Sequence, residues 1–473
     1  MRERLSGPLP GIAVSGIFAV AEPGDPTAIP LDDLKSAGGA KTGPETTVAP
    51  DSLPRPLRHC ATITLAREIP AAGRRTSGGY WVHVLDAPNV DGPVGLVLRR
   101  YRYAVDGDQN ATAANGAAPP AASFRKMEAP AVLLLDAAAG GARMTARLCR
   151  YIERECCTST FAAVARRTGV DEETVARLFY AFASQADPLQ PRRLPRYLGI
   201  DEAHIHEKYF TVLVDLEAGK LFAIRKGIAA DRVTAFLREF EGAGDVVVVA
   251  ADLSRPFAKA IRDAFGPGRL CNDKRHVLEL IRQALNEARN EALRNGSGPG
   301  PARSDYHMFN SRARQVEAKE SWRRRMEELA RSHPELVALH RAWEEVNRIF
   351  DRSPNPPTPE AAERRIRAWI QAWVTDARGG AYVADRLRGV AGTIRHRLPD
   401  ILRYFDPTRQ TPGGRRPTNA GTEAVNGNLK LAVWTARGFR SDENLRLRLL
   451  YLCGNRSYRE SRRLILAQTA RED

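Results

Sequence analysis

Three carboxylates are set where they could act together on a phosphodiester. Glu423 lies in TNAGTEAVNGNLK, residues 418–430, a segment with helical character. Asn426 and Lys430 follow it at i+3 and i+7, on the same helix face. Far upstream, Asp201 ends an apolar run in RYLGIDE, and Asp252 ends another in DVVVVAADLS. Phosphoryl transfer needs few protein nucleophiles. It needs two divalent cations about 3.5–4 Å apart, one on the attacking oxygen and one on the leaving oxygen. Mg²⁺ is usually held by a few carboxylates together with substrate phosphate. Two strand-borne aspartates and a helix-borne glutamate supply that set. A single strand-end aspartate more often caps a strand or a helix. The conjunction of all three with sheet order and basic surroundings points to chemistry.

Neighbouring groups divide by position. Glu202 follows Asp201 and should face the opposite side of the strand. Asp273, in CNDKRHV, ends the next short strand and could support the site or join it; Asn426 shares that supporting role. His276, like His204 and His206, is read as orienting substrate or satisfying the core rather than binding metal. Lys274, Arg275 and Lys430 are candidate phosphate contacts.

The elements that must position these groups read as an α/β core. RYLGIDEAHI, KYFTVLVDLE and KLFAIRKG are three consecutive strands. A helix, the buried strand DVVVVAAD, a second helix, the short strand RLCND and a long helix follow. That is the order of a ribonuclease H-like sheet. Its boundaries are 195–294 for the first part of the core and 295–415 for a charged, tryptophan-bearing helical insertion. The last part, 416–473, carries the Glu423 helix and a basic C-terminal helix.

Upstream, residues 142–190 are helical, and FAAVARRTGVDEETVARLFYAF has helix-turn-helix spacing. Small Ala165 lets the helices approach, Gly169 supplies a left-handed turn, and Asp171 caps the second helix. A plain helical hairpin would give a similar pattern. Thr174 and Arg177 are the candidate DNA contacts, although Glu172 and Glu173 beside them would repel phosphate. Residues 57–130 read as a small β-rich module and linker, and residues 1–56 as a disordered extension.

Composition fits a polyanionic partner. The 473 residues hold 72 Lys+Arg against 56 Asp+Glu, a formal charge of +16, and nucleic acid is the usual counterpart of such an excess. Six cysteines without a CxxC pair suit a reducing cytosol and suggest no zinc site. No apolar run approaches the roughly 20 residues of a membrane span.

At LGIDE, AADLS, CNDKRHV, TNAGTEAVNGNLK and ARGFRSDENLRLRLLYLCG the chain resembles bacterial insertion-sequence transposases with a DDE catalytic domain, of the group called ISL-three. The resemblance spans about 59–460. It implies that Asp201, Asp252 and Glu423 are the metal-binding triad, served by two Mg²⁺ or Mn²⁺ ions. It implies binding of double-stranded DNA at terminal inverted repeats, cleavage to a 3′-hydroxyl and attack of that hydroxyl on target DNA. It also implies a homo-oligomer on paired ends, working at the nucleoid in a bacterial cytoplasm. The group's N-terminal zinc ribbon is degenerate here, with Tyr103 about where a cysteine is expected. Two other readings share these features: an inactive helix-turn-helix relic or regulator, and a nuclease on the same fold that cuts RNA or junctions.

Overall fold

The computed structural model describes residues 12–20, 35, 47–49, 62–68, 74–88, 93–104, 144–295, 301–351, 357–436 and 438–472. Two compact units share the chain: residues 1–190 with 456–473, and residues 191–455.

The first unit opens with strands β1 (Ile12–Val20), β2 (Thr47–Val48), β3 (Thr62–Glu68), β4 (Arg74–Asp86) and β5 (Val94–Ala104), in the spatial order β2-β1-β3-β5-β4. β1 corrects the expectation of a disordered extension. The largely apolar segment IAVSGIFAV pairs antiparallel with β3 from Ile12↔Glu68 to Ala19↔Thr62. The rest of that extension, Cys60 and the 105–130 linker lie outside the described residues.

Helices α1 (Ala146–Cys156), α2 (Phe161–Thr168) and α3 (Glu172–Ala186) follow. Each N-cap is built from a short polar side chain: Thr145 accepts from the Leu148 amide, Thr160 from Ala163, and Asp171 from Thr174. Gly169 turns the chain at φ 68°, where a side chain would be strained. Val164, Val170, Val175 and Leu178 are buried. Asp86 at the end of β4 accepts hydrogen bonds from Thr145 Oγ1 (2.6 Å) and Arg147 Nε (3.1 Å), tying the sheet to α1.

The second unit carries the α/β core. Its strands are β6 (Tyr197–Ile205), β7 (Lys208–Asp215), β8 (Lys220–Lys226), β9 (Val248–Ala251) and β10 (Leu270–Asn272), ordered β10-β9-β6-β7-β8. β6, β7 and β8 form an antiparallel meander, while β9 and β10 lie parallel to β6. This is the expected ribonuclease H-like arrangement. His206 and Glu207 both adopt positive φ in the two-residue turn from β6 to β7, so the hairpin keeps the strands' twist.

One sheet face, with Leu198, Ile200, Leu213, Val249 and Ala251, packs on α4 (Ala230–Arg238) and α5 (Arg255–Phe265). α6 (Lys274–Asn295) leaves the end of β10 and enters the helical insertion. That insertion comprises α7 (Tyr306–Phe309), α8 (Ala313–Ala318), α9 (Glu320–Ser332), α10 (Pro334–Ile349), α11 (Pro359–Ile370) and α12 (Ala381–Leu402). Its apolar core, including Leu285, Trp343, Trp369 and Leu387, is continuous with Tyr197, Val248 and Cys271 of the sheet. Arg403 Nη1 donates to the Leu270 carbonyl at 2.7 Å, so the insertion also covers the β10 edge.

Two further helices close the opposite face. α13 (Ala420–Thr435) and α14 (Asp442–Leu452) set Val425, Leu429, Leu445 and Leu449 against Ala203, Ile205, Val212 and Val214. The final helix, α15 (Tyr458–Glu472), corrects an expectation: it belongs to the first unit, not to the core. Tyr458 packs on Phe182 with ring centroids 5.3 Å apart, and Arg456 pairs with Asp187.

Gly199 sets how closely α13 approaches the sheet. A Cβ there would meet Thr422 Oγ1 at 2.1 Å and Leu216 Cδ2 at 2.9 Å. Gly199→Ala should therefore cost about 1–3 kcal/mol, as overpacking in a filled core does. Adding Thr422→Ala removes the closest contact and should recover part of that loss. Urea denaturation of the two variants checks both statements; a neutral Gly199→Ala would mean that α13 has room to move.

Candidate active site

The register of the parallel strands builds the site. Ile200 pairs with Ala251, and Ala251 with Asn272. The next residue on each strand is therefore an aspartate: Asp201, Asp252 and Asp273. Side chains alternate along strands, so all three belong to the face opposite Ile200 and Ala251, on the side covered by α13 and the insertion. Glu202 falls on the other side of β6 and is exposed.

Each aspartate is fixed by nearby amides. Asp201 accepts from its neighbour Glu202 N at 2.9 Å and from Asn426 Nδ2 at 3.0 Å. Asp252 Oδ1 accepts from Ser254 N at 2.9 Å, and its carbonyl accepts from Asn272 Nδ2 at 2.8 Å. The Asp273 amide donates to the Ala251 carbonyl, which holds the turn into α6.

α13 delivers Glu423 from its first turn, one residue past the Thr422–Gly199 contact. Asn426, one turn later, spans Asp201 and the Glu202 carbonyl, so the helix is hydrogen-bonded to the strand that carries the first aspartate. Asp273, His276 and Glu423 present ligand atoms that all lie within 4.8 Å of one another. Among the described residues they are the one such trio of His, Cys, Asp and Glu. The sequence placed Asp201 and Asp252 with Glu423; the tightest grouping around Glu423 is with Asp273 and His276.

The electrostatics are those of crowded acids. Burial pushes the Asp201 carboxyl up to about 6, with Asp252 and Glu423 adding to the rise and the Glu202 amide opposing it. Burial also raises Asp273. A guanidinium answers this charge: Arg275, exposed at the start of α6, pairs with Glu423.

The other candidate contacts are spread more widely. Lys274 is half-buried with its ammonium 5.6 Å from the Tyr404 ring centroid, and Lys430 is exposed on α13. In the first unit Arg177 is exposed, whereas Thr174, expected to face DNA, is buried. Its hydroxyl accepts from Arg177 Nη2 at 2.9 Å, so it steadies the arginine instead. Sequence reasoning missed Asn272, which holds Asp252, and Asn419, whose backbone N–H donates to Asp273. Both stand inside the motifs CNDKRHV and TNAGTE, but nothing in their spacing marks them.

Comparison with known families settles the class. A transposase profile, the DDE domain of the ISL3 group, matches residues 198–449, more than half of the chain. The helix-turn-helix domain of transposase family ISL3 matches residues 135–183. The chain belongs to the ISL3 transposase family. A search of curated proteins gives no match. As an ISL3 transposase with its helix-turn-helix domain, the protein binds DNA, and its family implies use of divalent metal. No helix among the described residues is long and apolar enough to cross a membrane.

The raised Asp201 carboxyl has a consequence for stability. Its folded value near 6 exceeds the ordinary 3.8, so the folded state holds that proton more tightly. Stability from this group is present at pH 4 and is lost as pH rises through 6. In metal-free protein, Asp201→Asn should then stabilise the fold at pH 7.5 by about 2 kcal/mol, discounted for partial exposure, and do nothing at pH 4. Melting curves at the two pH values measure this. A variant that is less stable at pH 7.5 would show that the carboxylate sits there without strain.

Proposed function

We propose that this ISL3 transposase cuts DNA at the terminal inverted repeats of its element and joins the freed 3′-hydroxyl to target DNA. The observation that carries this reading is the row of aspartates formed by Asp201 within β6 and by Asp252 and Asp273 just past β9 and β10, faced by Glu423 from α13. Asp201, Asp252 and Glu423 would hold a pair of divalent cations, Mg²⁺ or Mn²⁺. Their fit to cations is supported by the raised Asp201 carboxyl and by the Arg275 guanidinium drawn to Glu423. Bound there, such ions polarise an attacking oxygen and stabilise the leaving one.

The protein's own groups position the substrate and the acids. Asn426 holds Asp201 in place against the sheet. Arg275 and Lys430 carry charge for the phosphates flanking the scissile bond. Arg177, steadied by Thr174, reaches the terminal repeat from α3. The domain roles follow: the first unit recognises the ends, the α/β core cuts and joins, and the insertion supports the core. A homo-oligomer holding two ends, acting on the nucleoid in the bacterial cytoplasm, completes the proposal.

Duplex carrying the element's terminal repeat, incubated with the full chain and Mg²⁺ or Mn²⁺, provides the test. Wild type should nick the repeat end, while Asp201→Asn, Asp252→Asn and Glu423→Gln should each lose on the order of 10³-fold or more. Repeat binding should survive in all three. Arg177→Ala should weaken that binding several-fold and lower the salt slope by about one. Binding without metal-dependent cleavage by wild type would instead favour a DNA-binding regulator.

A further inference from the structure

We propose that Asp273, His276 and Glu423 form a divalent-cation site with an imidazole ligand, so that one ion of the catalytic centre favours Mn²⁺-class metals over Mg²⁺. The inference rests on the transposase reading only in sharing Glu423 with it. Asp201 and Asp252 are not among its ligands.

Local geometry makes the trio. Asp273 directly precedes α6, and its carbonyl accepts the Val277 amide, so it stands at the N-cap. His276 is the third helical residue. N-cap and N3 side chains meet over the first turn of any helix, as in a capping box. Here the pair is an acid and an imidazole, and Glu423 approaches from α13. The three donor atoms lie within 4.8 Å of one another. Ligands at about 2.1 Å from a common ion lie within roughly 4 Å of each other, so small side-chain rotations suffice.

Two further observations point to a bound cation. Asp273 is only 2 % exposed, yet its Oδ1 has no hydrogen-bond partner. A buried carboxylate oxygen without a partner is costly and calls for a proton or a metal. Second, Glu423 already pairs with a cation, Arg275, two residues beyond Asp273. That guanidinium competes with a metal for the same carboxylate; on metal binding it would be freed for DNA phosphate. Donor chemistry then sets the metal. An imidazole nitrogen is accepted by first-row transition-metal ions, Mn²⁺ binding weakest among them, whereas Mg²⁺ is held mainly by oxygen, so the imidazole tips the site from Mg²⁺ toward that series.

Electron spin-echo spectroscopy of the full chain with Mn²⁺ alone, without DNA, is the decisive experiment. Wild type should show modulation from a directly bound ¹⁴N nucleus. His276→Gln should abolish it and weaken Mn²⁺ binding about tenfold, with far less effect on Mg²⁺ measured by competition. Asp273→Asn should weaken both ions. Arg275→Gln should tighten Mn²⁺ several-fold, because its competitor is gone. Metal-free melting curves identify any variant that fails to fold, and Arg275→Gln, which is expected to gain affinity, cannot mimic a folding defect. Absence of nitrogen coupling in wild type, or its persistence in His276→Gln, overturns the proposal. If Asp201→Asn and Asp252→Asn abolish cleavage all the same, the transposase reading stands and only this site falls.

Discussion

The parallel register of β6, β9 and β10 is the constraint on which the site depends. Pairing of Ile200, Ala251 and Asn272 places three successive carboxylates in a row one residue further on. A slip of one residue would turn each of them to the opposite face and, on β6 and β9, exchange Asp201 and Asp252 for the apolar Ile200 and Ala251. Apolar packing guards against that slip: Ile200 and Ala251 lie in the core beneath α4 and α5, and cannot trade places with aspartates at tolerable cost. The hydrophobic face of the sheet thus holds its acidic edge in position.

The fourth acid depends on a different device. α13 is far from β6 in sequence, and only tertiary contact brings Glu423 over the strand ends. Gly199 leaves room for Thr422, Asn426 bridges Asp201 and the Glu202 carbonyl, and Val425 and Leu429 bury the helix on the sheet. The insertion between these parts is not a passive loop. It covers the β10 edge, with Arg403 on the Leu270 carbonyl, and shares its apolar core with Tyr197, Val248 and Cys271. Edge strands left open invite pairing with other chains, and a helical cover removes that hazard.

Much of this was legible in the sequence because it is written in periodicity. The strand order of the core, the Gly169 turn, the Asp171 cap and the aspartates carried by two of the core strands all follow from local pattern; Asp201 lies within β6 rather than at its end. What escaped depends on contacts between distant segments. IAVSGIFAV is apolar enough for a strand, but only pairing with β3 makes it one; alone, its Pro- and Gly-rich flanks suggested disorder. Thr174 sits in the expected helix, yet burial turns its hydroxyl to Arg177. The grouping of Asp273 and His276 with Glu423 joins a strand end to a helix some 150 residues away, and no spacing rule spans that gap. α15 reads as a basic helix continuing the core; Phe182 and Asp187 decide otherwise.

Several polar atoms without partners gather around the aspartates and the start of α13. Asp273 Oδ1, Asn272 Oδ1, Asn426 Oδ1, the Asn419 amide group and Thr422 Oγ1 are all buried and unpaired around the start of α13 and the ends of the strands. Each such group costs about 1–3 kcal/mol when nothing answers it, and the crowded carboxylates add their own repulsion. Natural folds break their own packing rules mainly at functional sites, with the rest of the core supplying the compensation. Here that compensation is apolar and lies close by, in Val425 and Leu429 on one side and the insertion core on the other. Binding of cations would relieve the repulsion in the folded state alone, so occupancy and stability are linked at this one place. On that reading, the same acids that weaken the fold would also set what it binds.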